Sequence, residues 1–552
     1  MQSQKLKIKI HVQHMKEKLF EKPTPLHFAF CILILIVTFP VSIAAQQNIA
    51  GHASASITPM LLKQTIGYLA SDSMKGRATP SAELDEAGEY IARQFKSFGL
   101  QPLNGTWFQD LQFCYFDLGE NNFISVVKDL ETKNYLIKDD FVPYDISGSG
   151  PAESEVVFAG YGITAPEYAY DDYRNLDVKG KIVAVLRQEP GQTDSVLKFF
   201  KGPELTLYAG LNEKQKTAKE HGAAALMVIS GPLNYNTLKP KGFSWPSLSK
   251  ILPKDALPMG FCGRPKENIP MVQVGESIIR ELFGSVDSLK HIQQKIDKTM
   301  QPLSFLIPGK IFALNVGITG KPVGGRNVIA YLEGSDPRLK DEAVIIGAHY
   351  DHIGYQKEHQ PGSDYIYNGA DDNASGTSGV LAIAKAFASM AETPERSVIF
   401  IAFAGEEKGL LGSATYVRNP RWPLDKTVAM LNLDMISRNN PDSLQIIGAE
   451  QNPGLLKIVR KQNKSIGFNL VEKNPEWLNG GSDHASFFRK GVPAIFFFTG
   501  LHADYHEVTD NPDRVNADKA ARVARLAFMT AWAVANQCKH YKIIRTAEEE
   551  DE

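Results

Sequence analysis

Apolar and polar residues follow three different rhythms along this chain. Over residues 57–103 the apolar positions recur at helical spacing, as in Tyr90, Ile91, Phe95, Phe98 and Leu100, and Gly99 stands where a helix would stop. The turn-like stretch Ser71-Asp72-Ser73-Met74-Lys75-Gly76-Arg77 separates the helical runs. Between Phe113 and Ile307 the pattern changes to short β-like runs divided by Gly, Pro and Asp, at 155–161, 181–186 and 223–229, with a helix-like run at 211–221 before the last. From Asn327 the periodicity predicts alternating strands and helices around buried parallel strands, at 327–332, 343–347, 397–404, 428–433 and 494–498. Helices are expected at 379–390 and 517–537.

The carboxyl ends of these strands are chemically loaded. After the second come His349, Asp351 and His352; after the third, Gly405-Glu406-Glu407; after the fourth, Asp434; after the fifth, a loop with His502, Tyr505, His506 and Asp510. Asp371 and Asp372 sit in a polar, Gly-rich loop before a helix. A single His or Asp at a strand end is usually a cap, and Glu406-Glu407 alone would suit a helix start. Four successive core strands ending in carboxylates or imidazoles instead point to a site on the carboxyl edge of a sheet.

Composition narrows the class. The 552 residues are too many for one ordinary core, so two domains with appendages are expected. Six lysines precede a mostly apolar run from Leu26 to Val41 that closes on Ser42-Ile43-Ala44-Ala45, as an export signal would. Cleavage is expected near Ala44 or Ala45, with retention as a membrane anchor the alternative. Removal of residues 1–45 moves the formal charge from −2 to −6, since six lysines and two glutamates leave with them. A mildly acidic exported protein is a poor nucleic-acid binder. Cys114, Cys262 and Cys538 then remain, enough for one internal disulfide and without zinc-finger spacing.

Zinc needs deprotonated nitrogen and oxygen donors, and two ions sharing a carboxylate can clamp an attacking hydroxide and an oxyanion together. The inventory is large enough for two ions. The segments G-A-H-Y-D-H, G-A-D-D-N-A-S-G, F-A-G-E-E-K-G-L-L-G-S, L-N-L-D-M-I, S-D-H-A-S-F and Y-H-x-x-x-D resemble, in order and context, the co-catalytic di-zinc exopeptidases. That family includes secreted bacterial leucine-type aminopeptidases, glutamate carboxypeptidases, glutaminyl cyclases and transferrin-receptor-like proteins. The resemblance implies an α/β fold, a mostly parallel central sheet flanked by helices. It implies His349 and Asp434 on one zinc, Glu407 and His506 on the other, and Asp371 as the bridge, followed at Asp372 by an unusual cis peptide. It further implies Glu406 as general base and Asp351 as the partner orienting His349. Tyr505, Ser482 and Asp483 are candidate substrate contacts, while His352, His484 and His502 fall outside the metal set. Phe158-Ala159-Gly160-Tyr161-Gly162-Ile163, the run from Asp171 to Val183 and K-E-H-G-A-A-A-L resemble a protease-associated domain, a β-rich, non-catalytic insertion.

The implied organisation is a signal at 1–45, a helical part of the peptidase domain at 46–112, the insertion at 113–309, the peptidase domain at 310–540 and an acidic tail at 541–552. The expected activity is zinc-dependent removal of N-terminal residues from peptides. A glutamate-carboxypeptidase-like enzyme is the alternative, with Arg438 or Arg489 receiving a substrate carboxylate. A glutaminyl cyclase or a receptor-like binding protein are further readings; the latter usually lacks ligands and base. Trp477, Phe487, Phe496 and Phe498 could line an apolar pocket, although aromatics near buried strands more often belong to the core.

Overall fold

A computed structural model describes residues 50–128, 131–192, 200, 205–240, 245–249, 256–472, 478 and 480–544. The export signal, Trp477 and the acidic run Glu548 to Glu552 lie outside the described residues.

The run A-V-I-I-G-A-H is buried at every position and forms the strand Ala343–His349. It lies parallel between Ser397–Phe403 and Thr427–Leu433, and the latter pairs in parallel with Ala494–Phe498. Alternate side chains face opposite layers. Val344 and Ile346 join the core under the helices Pro59–Leu69, Ala82–Ser97, Gly376–Ala388, Pro453–Ile466 and Ala517–Ala535. Ile345, with Ile399 and Phe403, joins the core under Leu411–Arg418 and His484–Arg489. A sheet covered on both faces explains why these strands read as unbroken apolar runs rather than alternating ones. Ser81 caps the helix Ala82–Ser97 by accepting from Leu84 N, and Gly99 leaves it at a φ of 84°.

The ten-stranded sheet is completed by Ile318–Leu332 and Phe108–Leu118 on one side and Ser443–Ile447 and Asn469–Val471 on the other, with Met259–Phe261 at the edge and Gln101–Pro102 paired on Ile318–Leu332. The strand expected at 327–332 is therefore longer at its N-terminal end. Its extension pairs antiparallel with Phe108–Leu118 along a ribbon, which Cys114–Cys262 ties to the edge strand.

A second, eight-stranded sheet is built from strands between Phe123 and Val316, with its own core around Ile124, Phe158, Ile182, Ala225, Val272 and Leu314. Its strands Ile182–Leu186 and Ala225–Ile229 and its helix Leu211–Glu220 fall within a residue or two of the expected positions. The ribbon residues 113–118 and the edge strand Met259–Phe261, inside the expected insertion, belong to the first sheet, and Ser304–Val316 carries the second sheet past residue 309, so the two sheets interleave in sequence. No described helix is long and apolar enough to cross a membrane.

Candidate metal centre

The parallel strands end at one edge of the first sheet and deliver His349, Glu406, Glu407 and Asp434 there. His349 Nε2 lies 3.3 Å from Asp372 Oδ1, 3.3 Å from Asp434 Oδ1 and 4.0 Å from Glu406 Oε2. His506 Nε2 lies 3.2 Å from Asp372 Oδ2 and 3.1 Å from Glu407 Oε2. The two oxygens of Asp372 thus face two different imidazoles. Donor atoms of His349, Asp372 and Asp434, and those of His352, Asp372, Glu407 and His506, fall within 4.8 Å of one another in each group.

Asp371, expected as the shared carboxylate, is turned away. Its Oδ1 accepts from Ser437 N at 2.8 Å, Ser437 Oγ at 2.6 Å and Ser375 Oγ at 3.0 Å, while Oδ2 faces His502 Nε2 at 3.3 Å. Hydrogen bonds from the loop after Thr427–Leu433 saturate that oxygen, and the next residue occupies the centre instead. The cis peptide follows Asp372, joining it to Asn373, one position later than the resemblance implied. Ser375, four residues after Asp371 and bonded to it, is the one local signal in the sequence that separates the two aspartates.

His352, set outside the metal set, is part of the constellation: its Nδ1 lies 2.7 Å from Glu407 Oε1. Ser482 and Asp483, expected on the substrate side, are wholly buried. Ser482 Oγ donates to Asp434 Oδ2 at 2.6 Å and accepts from Asn432 Nδ2 at 2.7 Å, so it stands behind a donor rather than before a substrate. His484 stacks on Phe496 in the interior. Phe487, Phe496 and Phe498 are core residues, buried among neighbouring side chains. His349 Nδ1 lies 3.2 Å from the backbone O of Asp351 and 3.7 Å from its Oδ1, which accepts from Glu406 N at 3.2 Å. Tyr505 stacks on His506 with ring centroids 3.9 Å apart and remains 36% exposed.

The imidazoles and carboxylates of the centre shift one another's protonation. Burial opposes protonation of His506, but the adjacent carboxylates of Asp372 and Glu407 outweigh it and raise the imidazole to about 10. His349 is likewise raised well above its usual value, because the carboxylates of Asp434 and Glu406 overcome its burial. Neighbouring glutamates are driven apart. Burial raises Glu406 well above the carboxylate range, with Glu407 and Asp434 adding to the effect against His349, whereas the adjacent imidazoles of His352 and His506 hold Glu407 low despite its burial. Asp434 Oδ1 and His506 Nε2 are buried without a hydrogen-bond partner. Such orphaned donors, a mixture of carboxylate oxygens and imidazole nitrogens, fit zinc.

Residues 327–531 match the family model described as Peptidase family M28. The chain carries a peptidase domain of that family over these residues. It is an enzyme, a metallo-exopeptidase. Aminopeptidase YwaD of Bacillus subtilis is 24% identical over 413 residues, covering 72% of this chain and 72% of its own length. A protein of Arthroderma otae named "Probable leucine aminopeptidase" is 35% identical over 180 residues, 31% of this chain and 45% of that relative. The solved aminopeptidase from Aneurinibacillus sp. strain AM-1 superposes with a TM-score of 0.51 at 20% identity, covering 90% of this chain and 98% of that one. That last likeness shows the shared mixed α/β fold.

Proposed function

We propose that this M28 peptidase is an exported zinc aminopeptidase that uses two zinc ions, one held by His349, Asp372 and Asp434 and the other by Asp372, Glu407 and His506. The carrying observation is Asp372, whose two oxygens face His349 and His506 separately at 3.3 and 3.2 Å. His352 Nδ1 is engaged by Glu407 Oε1 and orients that carboxylate, leaving Oε2 toward His506. Asp351 steadies His349 and the backbone of Glu406 together.

Bound zinc supplies Lewis acidity, which brings the pKa of water toward about 7 and polarises a peptide carbonyl. Glu406, set 4.0 Å from His349 Nε2, takes the proton of the attacking water and passes it to the leaving amine. Its raised pKa suits a group that must hold that proton between the two steps. The Tyr505 hydroxyl, on a ring stacked against His506, is the candidate donor to the oxyanion.

The direction of cleavage is argued from the charges near the centre. A cationic α-amine is held by carboxylates, which the site supplies in Glu406 and Asp434. A substrate carboxylate calls for an arginine fork. Arg438 is instead bound to Asp504 Oδ2 at 2.5 Å, and Arg489 lines a separate cleft with Thr164, Tyr208 and His221. Export accords with the Cys114–Cys262 disulfide, a bond that persists in oxidising compartments. The second sheet is read as the protease-associated insertion. N-acetylated peptides should resist cleavage while C-amidated peptides are processed; the reverse pattern would move the chain to the carboxypeptidase branch.

A further inference from the structure

Arg77 is wholly buried, and among the described residues no carboxylate forms an ion pair with it. Its guanidinium is spent on backbone carbonyls. Nε donates to Tyr350 O at 2.8 Å, Nη1 to Leu69 O at 3.0 Å and Asn368 O at 2.6 Å, and Nη2 to Gly369 O at 2.7 Å. Tyr350 separates His349 from Asp351, and Asn368-Gly369 leads into the turn that carries Asp372. A buried cation without a paired anion is costly, so this one marks a place where backbone geometry has to be held.

Its neighbours reach the same loops. Gly76, at a φ of 65°, passes so close beneath the loop after His349 that a Cβ would meet Gly354 O at 2.1 Å. Gly76 O and Arg77 O accept from Gly354 N at 3.1 Å and His352 N at 3.3 Å. Thr79 Oγ1 donates to Asp351 Oδ2 at 2.9 Å and accepts from Gly405 N, next to Glu406, at 3.0 Å. Four consecutive residues therefore touch all three loops that deliver His349, Asp372 and the Glu406-Glu407 pair.

We propose that Gly76–Thr79 is a strap that fixes the spacing of the three donor-bearing loops, with Arg77 as the positioning residue that holds His349 and Asp372 at their separation. This rests on the two-zinc reading. A planar guanidinium can span two loops at once; an ammonium, which radiates its donors from one point, cannot.

Arg396 provides an internal control. It too is fully buried, and it ties Val534 O at 2.9 Å and Glu342 Oε2 at 2.7 Å, but it precedes Ser397 at the opposite end of the sheet. The test measures zinc affinity of the zinc-free protein by competition with a chromophoric chelator, together with its melting temperature. Arg77→Lys should weaken zinc binding by about 10- to 100-fold and Thr79→Val by less. Arg396→Lys should lower the melting temperature while leaving zinc affinity unchanged. Wild-type affinity in both Arg77→Lys and Thr79→Val, or an equal loss in Arg396→Lys, would overturn the strap. Should Arg77→Lys fail to fold, Thr79→Val decides, with unchanged affinity counting against it. Failure of the wild-type protein to bind zinc would overturn the underlying reading instead.

Discussion

In the second sheet the carboxylate of Asp172 is buried and fully answered: Tyr161 N and Ile163 N donate to Oδ2 at 3.0 and 3.1 Å, and Tyr170 donates its hydroxyl to Oδ1 at 2.9 Å. Lys214, equally buried, donates to Tyr161 O, and the Tyr161 hydroxyl goes on to Asp297. At the edge of the first sheet buried carboxylates and imidazoles gather just as densely, yet Asp434 Oδ1 and His506 Nε2 find no hydrogen-bond partner. Burial and charge are alike in both places; closure is not. A closed network holds a fold together, whereas an open one leaves donors for something supplied from outside.

The sharpest break between the two regions should come from Glu406→Gln. Turnover is expected to fall by about 10²- to 10⁴-fold with zinc content intact, because only the proton carrier is lost. Loss of metal along with activity, measured by elemental analysis, would make Glu406 a ligand. In the closed network Lys214→Met should cost roughly 3–5 kcal/mol in denaturant unfolding, by leaving Asp172 without its countercharge, and zinc content should not change. Asp371→Asn should cost less, about 1–3 kcal/mol, through its bonds to Ser437 and Ser375, again with metal retained. The smallest effect is on pH. Since His506 is raised to about 10 in the metal-free site, it carries a proton near neutrality that zinc must displace. Zinc affinity should therefore fall as pH is lowered, by at most about tenfold per unit for each proton displaced. Calorimetry in buffers of different ionisation heat should register that release, and its absence would place His506 outside the donor set.

Legibility in the sequence tracked locality. The strand expected at 494–498 is found at Ala494–Phe498, since a short apolar run buried on both faces leaves little choice of boundary. The strand ending at Leu332 begins earlier than expected because its first half, Ile318 to Arg326, is mostly uncovered ribbon and carries no apolar run. His349, Glu406, Glu407 and Asp434 could be read because each ends a core strand. The resemblance implies Asp371 rather than Asp372 as the bridge, and the structure reverses that order through Ser437, a residue 66 positions away from Asp371. The same holds for Ser482: only the folded chain brings it behind Asp434. His352 follows a histidine that already has a role in its motif, and its partner Glu407 is 55 positions distant.

Zinc stoichiometry in the wild-type protein and in Asp372→Ala tests the shared carboxylate most directly. Two zinc ions per wild-type chain, and loss of bound metal when both oxygens of Asp372 are removed, are the expected results. One ion or none in the wild type, or two ions still held by Asp372→Ala, would contradict the bridge.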